Sequence, residues 1–184
     1  MRVISGSARG TILKSPQDEK VRPTLDRVKE SLFNIIGFSI IESDVLDLFA
    51  GSGALGIESL SRGASKAVFV DMSKESIALT TENLEKTRLK EKAVILNKDS
   101  ISALEYLAGK NEKFDLIFMD PPYKTDLAKK ALEFLSSSNI LKEDALIIVE
   151  QDIDESLDDA YGNLTKTREK KYSKTKLSFF ERLD

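Results

Sequence analysis

The stretch Asp47-Leu48-Phe49-Ala50-Gly51-Ser52-Gly53-Ala54-Leu55-Gly56 decides the fold. With Val45 and Leu46 before it, it opens as a short apolar run, which predicts a buried strand. A glycine turn follows at Gly51–Gly53, and a helix is expected through about Ser61. Glycines let the backbone come close to a ligand, and a helix N-terminus offers free N–H groups. Gly51, Gly53 and Gly56 also satisfy the G-x-G-x-x-G fingerprint of nucleotide-cofactor sites. An acid, Asp71, ends the next apolar run about 20 residues on, where a ribose hydroxyl would be held.

Outward from this stretch the pattern alternates. Ala67-Val68-Phe69-Val70 predicts a second strand, and residues 73–88 a helix with Ile77, Leu79 and Leu84 inward. Ala93–Leu96 reads as a third strand, Ile101–Leu107 as a helix, and Phe114–Met119 as a fourth strand ending at Asp120. Leu127–Leu135 is expected to be helical, and Ala145–Val149 is a fifth strand. Strands that alternate with helices imply a parallel sheet covered on both faces. Leu164–Tyr172 and Thr175–Leu183 then predict an antiparallel pair joined by a turn near Ser173-Lys174. Upstream, Val3-Ile4 and Thr11-Ile12-Leu13 are short β-like pieces of an arm or small hairpin. Thr24 is a candidate N-cap for an amphipathic helix over 25–36. The expected fold class is α/β: a mostly parallel sheet with an antiparallel C-terminal pair, a short β arm and a helix. The expected organisation is one domain over 1–184, with arm and helix in 1–37 and the core in 38–184.

The chain has 184 residues, 41% hydrophobic and 32% charged, as in ordinary globular proteins. No apolar run approaches the ~20 residues that span a bilayer, and the start lacks a secretory pattern, so a cytoplasmic location and no membrane partner are expected. Cysteine is absent, which excludes disulfides and thiolate metal sites. Histidine is absent too, which removes the usual general base and the commonest metal ligand, so no metal is expected. Net charge is −3, yet the two ends are locally basic. Arg2, Arg9, Lys14, Lys20, Arg22, Arg27 and Lys29 crowd the first 30 positions, and Lys166, Arg168, Lys170, Lys171, Lys174 and Lys176 cluster near the other end. Such patches suit phosphates, although a solvated face is the plainer explanation of any charge run.

Asp120-Pro121-Pro122-Tyr123 directly follows the fourth predicted strand. Two prolines fix φ and lack N–H donors, so the turn is stiff and its carbonyls remain available as acceptors. An exocyclic amine on a nucleobase is a poor nucleophile, because its lone pair is delocalised into the ring. Acceptors around its N–H groups favour a more pyramidal, more reactive nitrogen. The Asp120 carboxylate and the Pro121 carbonyl could supply two of them. Tyr123 offers an aromatic face for an extruded base. Such chemistry needs no strong base, in keeping with a chain that has no histidine.

By itself the glycine motif fits an NAD enzyme or a methyltransferase. Asp47–Gly53 resembles the first motif of Rossmann-like S-adenosylmethionine methyltransferases. The resemblance implies S-adenosyl-L-methionine as cofactor, with Asp47 near its methionine end, Asp71 on the ribose and Asp99 facing the adenine amino group. A helix cap before Ile101 explains Asp99 equally well. The candidate cofactor set is Asp47, Phe49, Ala50, Gly51, Gly53, Asp71, Met72, Asp99 and Ser100. Asp120-Pro121-Pro122-Tyr123 resembles the catalytic motif of amino-directed methyltransferases, whose members act on adenine N6, guanine N2, cytosine N4 or a glutamine amide.

The ends narrow the resemblance. Arg2–Gly10, Arg22–Asn34 and Tyr172–Phe180 are similar to the bacterial 16S ribosomal RNA guanine-N2 methyltransferases that modify position 966. The likeness covers essentially the whole chain, although the family more often has glycine at the Ser173 position. It implies 16S ribosomal RNA in a small-subunit assembly particle as substrate. Arg9, Lys14, Arg22 and Arg27 are the candidate RNA contacts, since basic side chains on an arm can track phosphates. Two rivals remain: a DNA or RNA adenine-N6 or protein-glutamine methyltransferase, and a non-enzymatic dinucleotide-binding module, which would leave Asp-Pro-Pro-Tyr idle.

Overall fold

In the computed structural model, residues 1–16 and 23–182 are described. Helix α1 (Pro23–Ile36) leads into strand β1 (Asp44–Asp47), helix α2 (Ala54–Ser61) and strand β2 (Lys66–Asp71). Helix α3 (Lys74–Thr87), strand β3 (Ala93–Asn97), helix α4 (Ser100–Gly109) and strand β4 (Phe114–Met119) follow. Helix α5 (Leu127–Ser137) and strands β5 (Leu141–Asp152), β6 (Ala160–Tyr161), β7 (Leu164–Lys171) and β8 (Thr175–Arg182) complete the order. The sheet runs β3-β2-β1-β4-β5-β8-β7-β6. Its first five strands are parallel and its last three antiparallel, which is the expected α/β arrangement.

The parallel strands carry almost unbroken apolar runs because helices cover both faces. One face packs Val45, Ala67, Phe69, Leu116 and Phe118 against α1, α2 and the arm. Phe33 of α1 meets Phe118 with ring centroids 5.8 Å apart. The other face packs Leu46, Val68, Val70, Ile117 and Ile147 against α4 and α5. Strand order reverses between β1 and β4, and such a switch point opens a crevice at the strands' carboxyl ends.

Several expectations need correction. Helix α1 starts at Pro23, so Thr24 lies inside it rather than at its cap. Proline suits a first turn, where its fixed φ is pre-formed and its missing N–H is not needed. In α3, Leu84 is buried, but Ile77 and Leu79 are only partly so. The rest of its buried face is polar: Thr80, Asn83 and Thr87. Strand β5 begins earlier and runs later than the apolar run at Ala145–Val149, and the two-residue β6 has no apolar run to announce it.

The arm is a hairpin closed by one bridge, Arg2 with Ile12. It is fastened to α2. Glu58, fully buried, accepts the N–H groups of Ile4 at 2.8 Å and Ser5 at 3.0 Å. The same carboxylate pairs with Lys29 at 3.2 Å and Arg62 at 2.8 Å, so its charge is compensated on every side.

Candidate active site

The carboxyl ends of β1, β2 and β4, with the turns that leave them, wall a cleft of about 770 Å³. Asp47, Phe49, Ala50, Gly51, Asp71, Met72, Asp99 and Ser100 line it. So do Asp120, Pro121, Pro122 and Tyr123. Two motifs more than 60 positions apart in the chain thus share one cavity. Gly53 does not line it. With φ at 77° it is the left-handed N-cap of α2, and an added Cβ would come within 2.9 Å of Thr80, so its part is to make the turn. Gly56 lets α2 close on the sheet, since a Cβ there would lie 2.3 Å from the Phe69 ring.

Asp47 ends β1 under the N-terminus of α2, where its carboxyl accepts the Gly56 N–H at 3.1 Å. Burial pushes that carboxyl up to about 7, and the nearby Asp71 charge adds to the effect, while the Gly56 bond opposes it. A buried acid held in this state favours a cation beside it. Asp71 closes the glycine turn from the next strand. One oxygen accepts the Gly51 N–H at 2.9 Å and the other the Ser73 N–H at 2.8 Å. A carboxylate has about four acceptor positions, so each oxygen keeps capacity for a hydroxyl. Asp99 is the N-cap of α4, accepting the Ser102 N–H at 3.0 Å, and that bond holds its carboxyl below the usual range. The capping explanation therefore holds, and the residue lines the cleft as well.

Asp120 and Tyr123 are exposed on the cleft, whereas Pro121 is buried and anchors the turn. The Tyr123 phenol is pushed up by burial and by the Glu150 charge, with Thr175 opposing and Asp120 adding. Tyr123 is 48% exposed, so part of its surface remains open to a partner in the cleft.

Among the candidate RNA contacts, Arg9 and Arg27 are exposed. Lys14 is exposed too, but its ammonium pairs with Glu82. Arg22 lies outside the described residues.

Four contributors were not read from the sequence. Glu150 of β5 lines the cleft beyond the end of the apolar run. Lys29 lines it from α1, and its ammonium also donates to the Arg2 carbonyl at 2.6 Å. Its position, one place after Val28 and three before Leu32, sets it on the buried helix face; that spacing was the available signal. Thr80 and Asn83 brace the glycine turn: the Thr80 hydroxyl donates to the Gly51 carbonyl at 2.9 Å, and the Asn83 amide to the Ser52 carbonyl at 2.9 Å.

Across residues 1–181 the chain matches the family model described as Conserved hypothetical protein 95. The chain belongs to this family. It is similar to Bacillus subtilis YlbH, provisionally named an rRNA methyltransferase, at 40% identity over 99% of both chains. It is 35% identical to ribosomal RNA small subunit methyltransferase D of Escherichia coli, over 92% of this chain and 84% of that one. The solved structure of Escherichia coli yhhF, provisionally named a methyltransferase, superposes with a TM-score of 0.85 at 34% identity, covering 99% of this chain and 97% of the other. The sheet of this chain is Rossmann-like.

Proposed function

We propose that the chain is an S-adenosylmethionine-dependent methyltransferase that modifies the N2 amino group of a guanine in 16S ribosomal RNA, acting on a small-subunit assembly particle. One observation carries the reading: Asp120-Pro121-Pro122-Tyr123 shares a cleft with the glycine turn, Asp47 and Asp71. A dinucleotide-binding module has no use for that turn. The names of the relatives point the same way, one as an rRNA methyltransferase and one as a ribosomal RNA small subunit methyltransferase.

The cleft residues fit the cofactor. Asp47 would lie beside the cationic methionine end, which answers the demand of its buried carboxyl. Asp71 would accept the ribose hydroxyls and Asp99 the adenine amine. Bound there, the cofactor supplies an electrophilic methyl group. The protein's share is positioning. Asp120 and the Pro121 carbonyl accept the two N–H groups of the target amine and favour its pyramidal form. Tyr123 stacks on the extruded base. Arg9, Lys14, Arg22 and Arg27 hold phosphates outside the cleft.

The test separates base from cofactor. Tyr123→Ala should lose a stacking contact of roughly 1–3 kcal/mol in single-turnover methylation, with cofactor affinity unchanged. Tyr123→Phe should be much milder. If the two variants are equally damaged, the hydroxyl has a chemical part and the stacking role fails.

A further inference from the structure

Glu150 lines the same cleft as Asp120 and Tyr123, yet nothing in the proposed reaction employs it. Its carboxyl is held against β8. The Thr175 hydroxyl lies 3.1 Å from one Glu150 oxygen and 2.8 Å from the Gln151 carbonyl. One hydroxyl has one proton. Shared between these two acceptors, it gives Glu150 only part of one hydrogen bond, and the carboxyl keeps capacity for a further donor. Burial raises the carboxyl above the usual carboxylate range, and the Thr175 contact opposes it only in part. It also lies close enough to Tyr123 to act on the phenol, as Asp120 does. A base stacked on Tyr123 therefore has two acidic side chains for neighbours, Asp120 and Glu150.

Nucleobases differ in what they offer such a pair. Guanine presents adjacent donors, the N2 amine and N1–H. Adenine and cytosine present an amine beside a bare ring nitrogen, which repels a carboxylate. If Asp120 and the Pro121 carbonyl take the N2 protons, the N1–H needs an acceptor of its own once it leaves water. We infer that Glu150 is the specificity-determining residue of this cleft, accepting the N1–H of the target guanine and so selecting guanine over adenine. The inference rests on the guanine-N2 reading and deepens it. Guanine brings the further donor that the Glu150 carboxyl can accept, and a wrong base leaves that carboxyl facing a lone pair. A site built around a hydrogen bond rejects the analogue that cannot make it far more strongly than an apolar pocket rejects a misfit.

The experiment compares two RNA substrates in reconstituted small-subunit particles. One has guanine at the target position; the other has 2-aminopurine, which keeps the N2 amine but has a bare N1. The wild-type protein should methylate the 2-aminopurine substrate at least about tenfold more slowly. Glu150→Gln presents an amide N–H that can donate to bare N1, so the gap should shrink or invert. Glu150→Ser, smaller and neutral, should flatten it and serves if the glutamine variant does not fold. Cofactor affinity, measured alongside, reports that each variant is intact. Equal rates on both substrates in the wild type would overturn the inference, as would an unchanged gap in a folded variant. A wild-type protein that leaves the guanine N2 unmodified would instead sink the proposed function itself.

Discussion

Asn83 clasps Lys14 across 69 positions of chain, accepting its N–H at 2.8 Å and donating to its carbonyl at 2.9 Å. One buried amide on α3 thus mimics a strand pairing with the end of the arm, and its second proton reaches the Ser52 carbonyl in the glycine turn. The arm and the glycine turn are fixed by the same side chain.

Asn83→Ala should therefore loosen both. Deleting a buried amide that makes three hydrogen bonds strands backbone groups, at a cost of roughly 1–3 kcal/mol. Urea unfolding should show the loss, and amide exchange at Lys14 should accelerate more than exchange in β4. Unchanged protection at Lys14 would mean that the clasp does not hold the arm.

Asp47 gives a pH signature. Its carboxyl is pushed up to about 7 in the folded chain, against about 3.9 when unfolded. Between those values the folded protein holds a proton that the unfolded chain has released. Its contribution to stability is therefore lost as pH rises through this window and is constant above it. Asp47→Asn keeps an acceptor for the Gly56 N–H without the titration. The variant should gain stability relative to the wild type as pH rises from about 4 to 7, while binding the cofactor more weakly. Parallel stability curves for the two proteins would contradict the buried, raised carboxyl.

Much of this architecture is legible in sequence for a simple reason. Strands β1, β2 and β4 and the centre of β5 are buried on both faces, so they appear as apolar runs whichever way their side chains point, while the edge strand β3 keeps its apolar run although it is only partly buried. Asp120–Tyr123 follows β4 directly, so residue order alone places the proline turn at the strand's end. What escapes is polar burial. Periodicity picks out apolar residues, and the inward face of α3 is made mostly of Thr80, Asn83 and Thr87, buried because they bond to carbonyls within α3, in the glycine turn and in the arm. Glu58 is hidden for the same reason, as an acid whose partners are backbone groups of the distant arm. Glu150 escapes because β5 outlasts its apolar stretch, and only pairing with β8 shows where the strand ends.

Asp71 already accepts two backbone N–H groups, so its removal should both slacken the turn and take away the acceptor proposed for the ribose. Asp71→Ala should weaken S-adenosylmethionine binding by roughly 1.5–3 kcal/mol, the usual worth of a hydrogen bond to a charged group. Calorimetry giving full affinity in a folded variant would count against the assignment.

Arg9 and Arg27 are exposed cations of the N-terminal block, while Lys14 is engaged with Glu82. Neutralising Arg9 and Arg27 together should weaken RNA binding and reduce its salt slope by about one unit for each phosphate that the variant no longer neutralises. Lys14→Gln should do less. Identical slopes for wild type and the double variant would move the RNA surface elsewhere.

The proposed methylation of guanine N2 in ribosomal RNA, with Asp120 at the target amine, can be read out directly. Small-subunit particles without the methyl group should be incubated with S-adenosylmethionine and either the wild-type protein or Asp120→Ala, and their RNA digested and mapped by mass for methylated nucleosides. The expected result is N2-methylguanosine at one 16S position with the wild type, and a large loss of rate with Asp120→Ala at nearly unchanged cofactor affinity. Methylation at another base, or normal methylation by Asp120→Ala, would contradict the role assigned to this cleft.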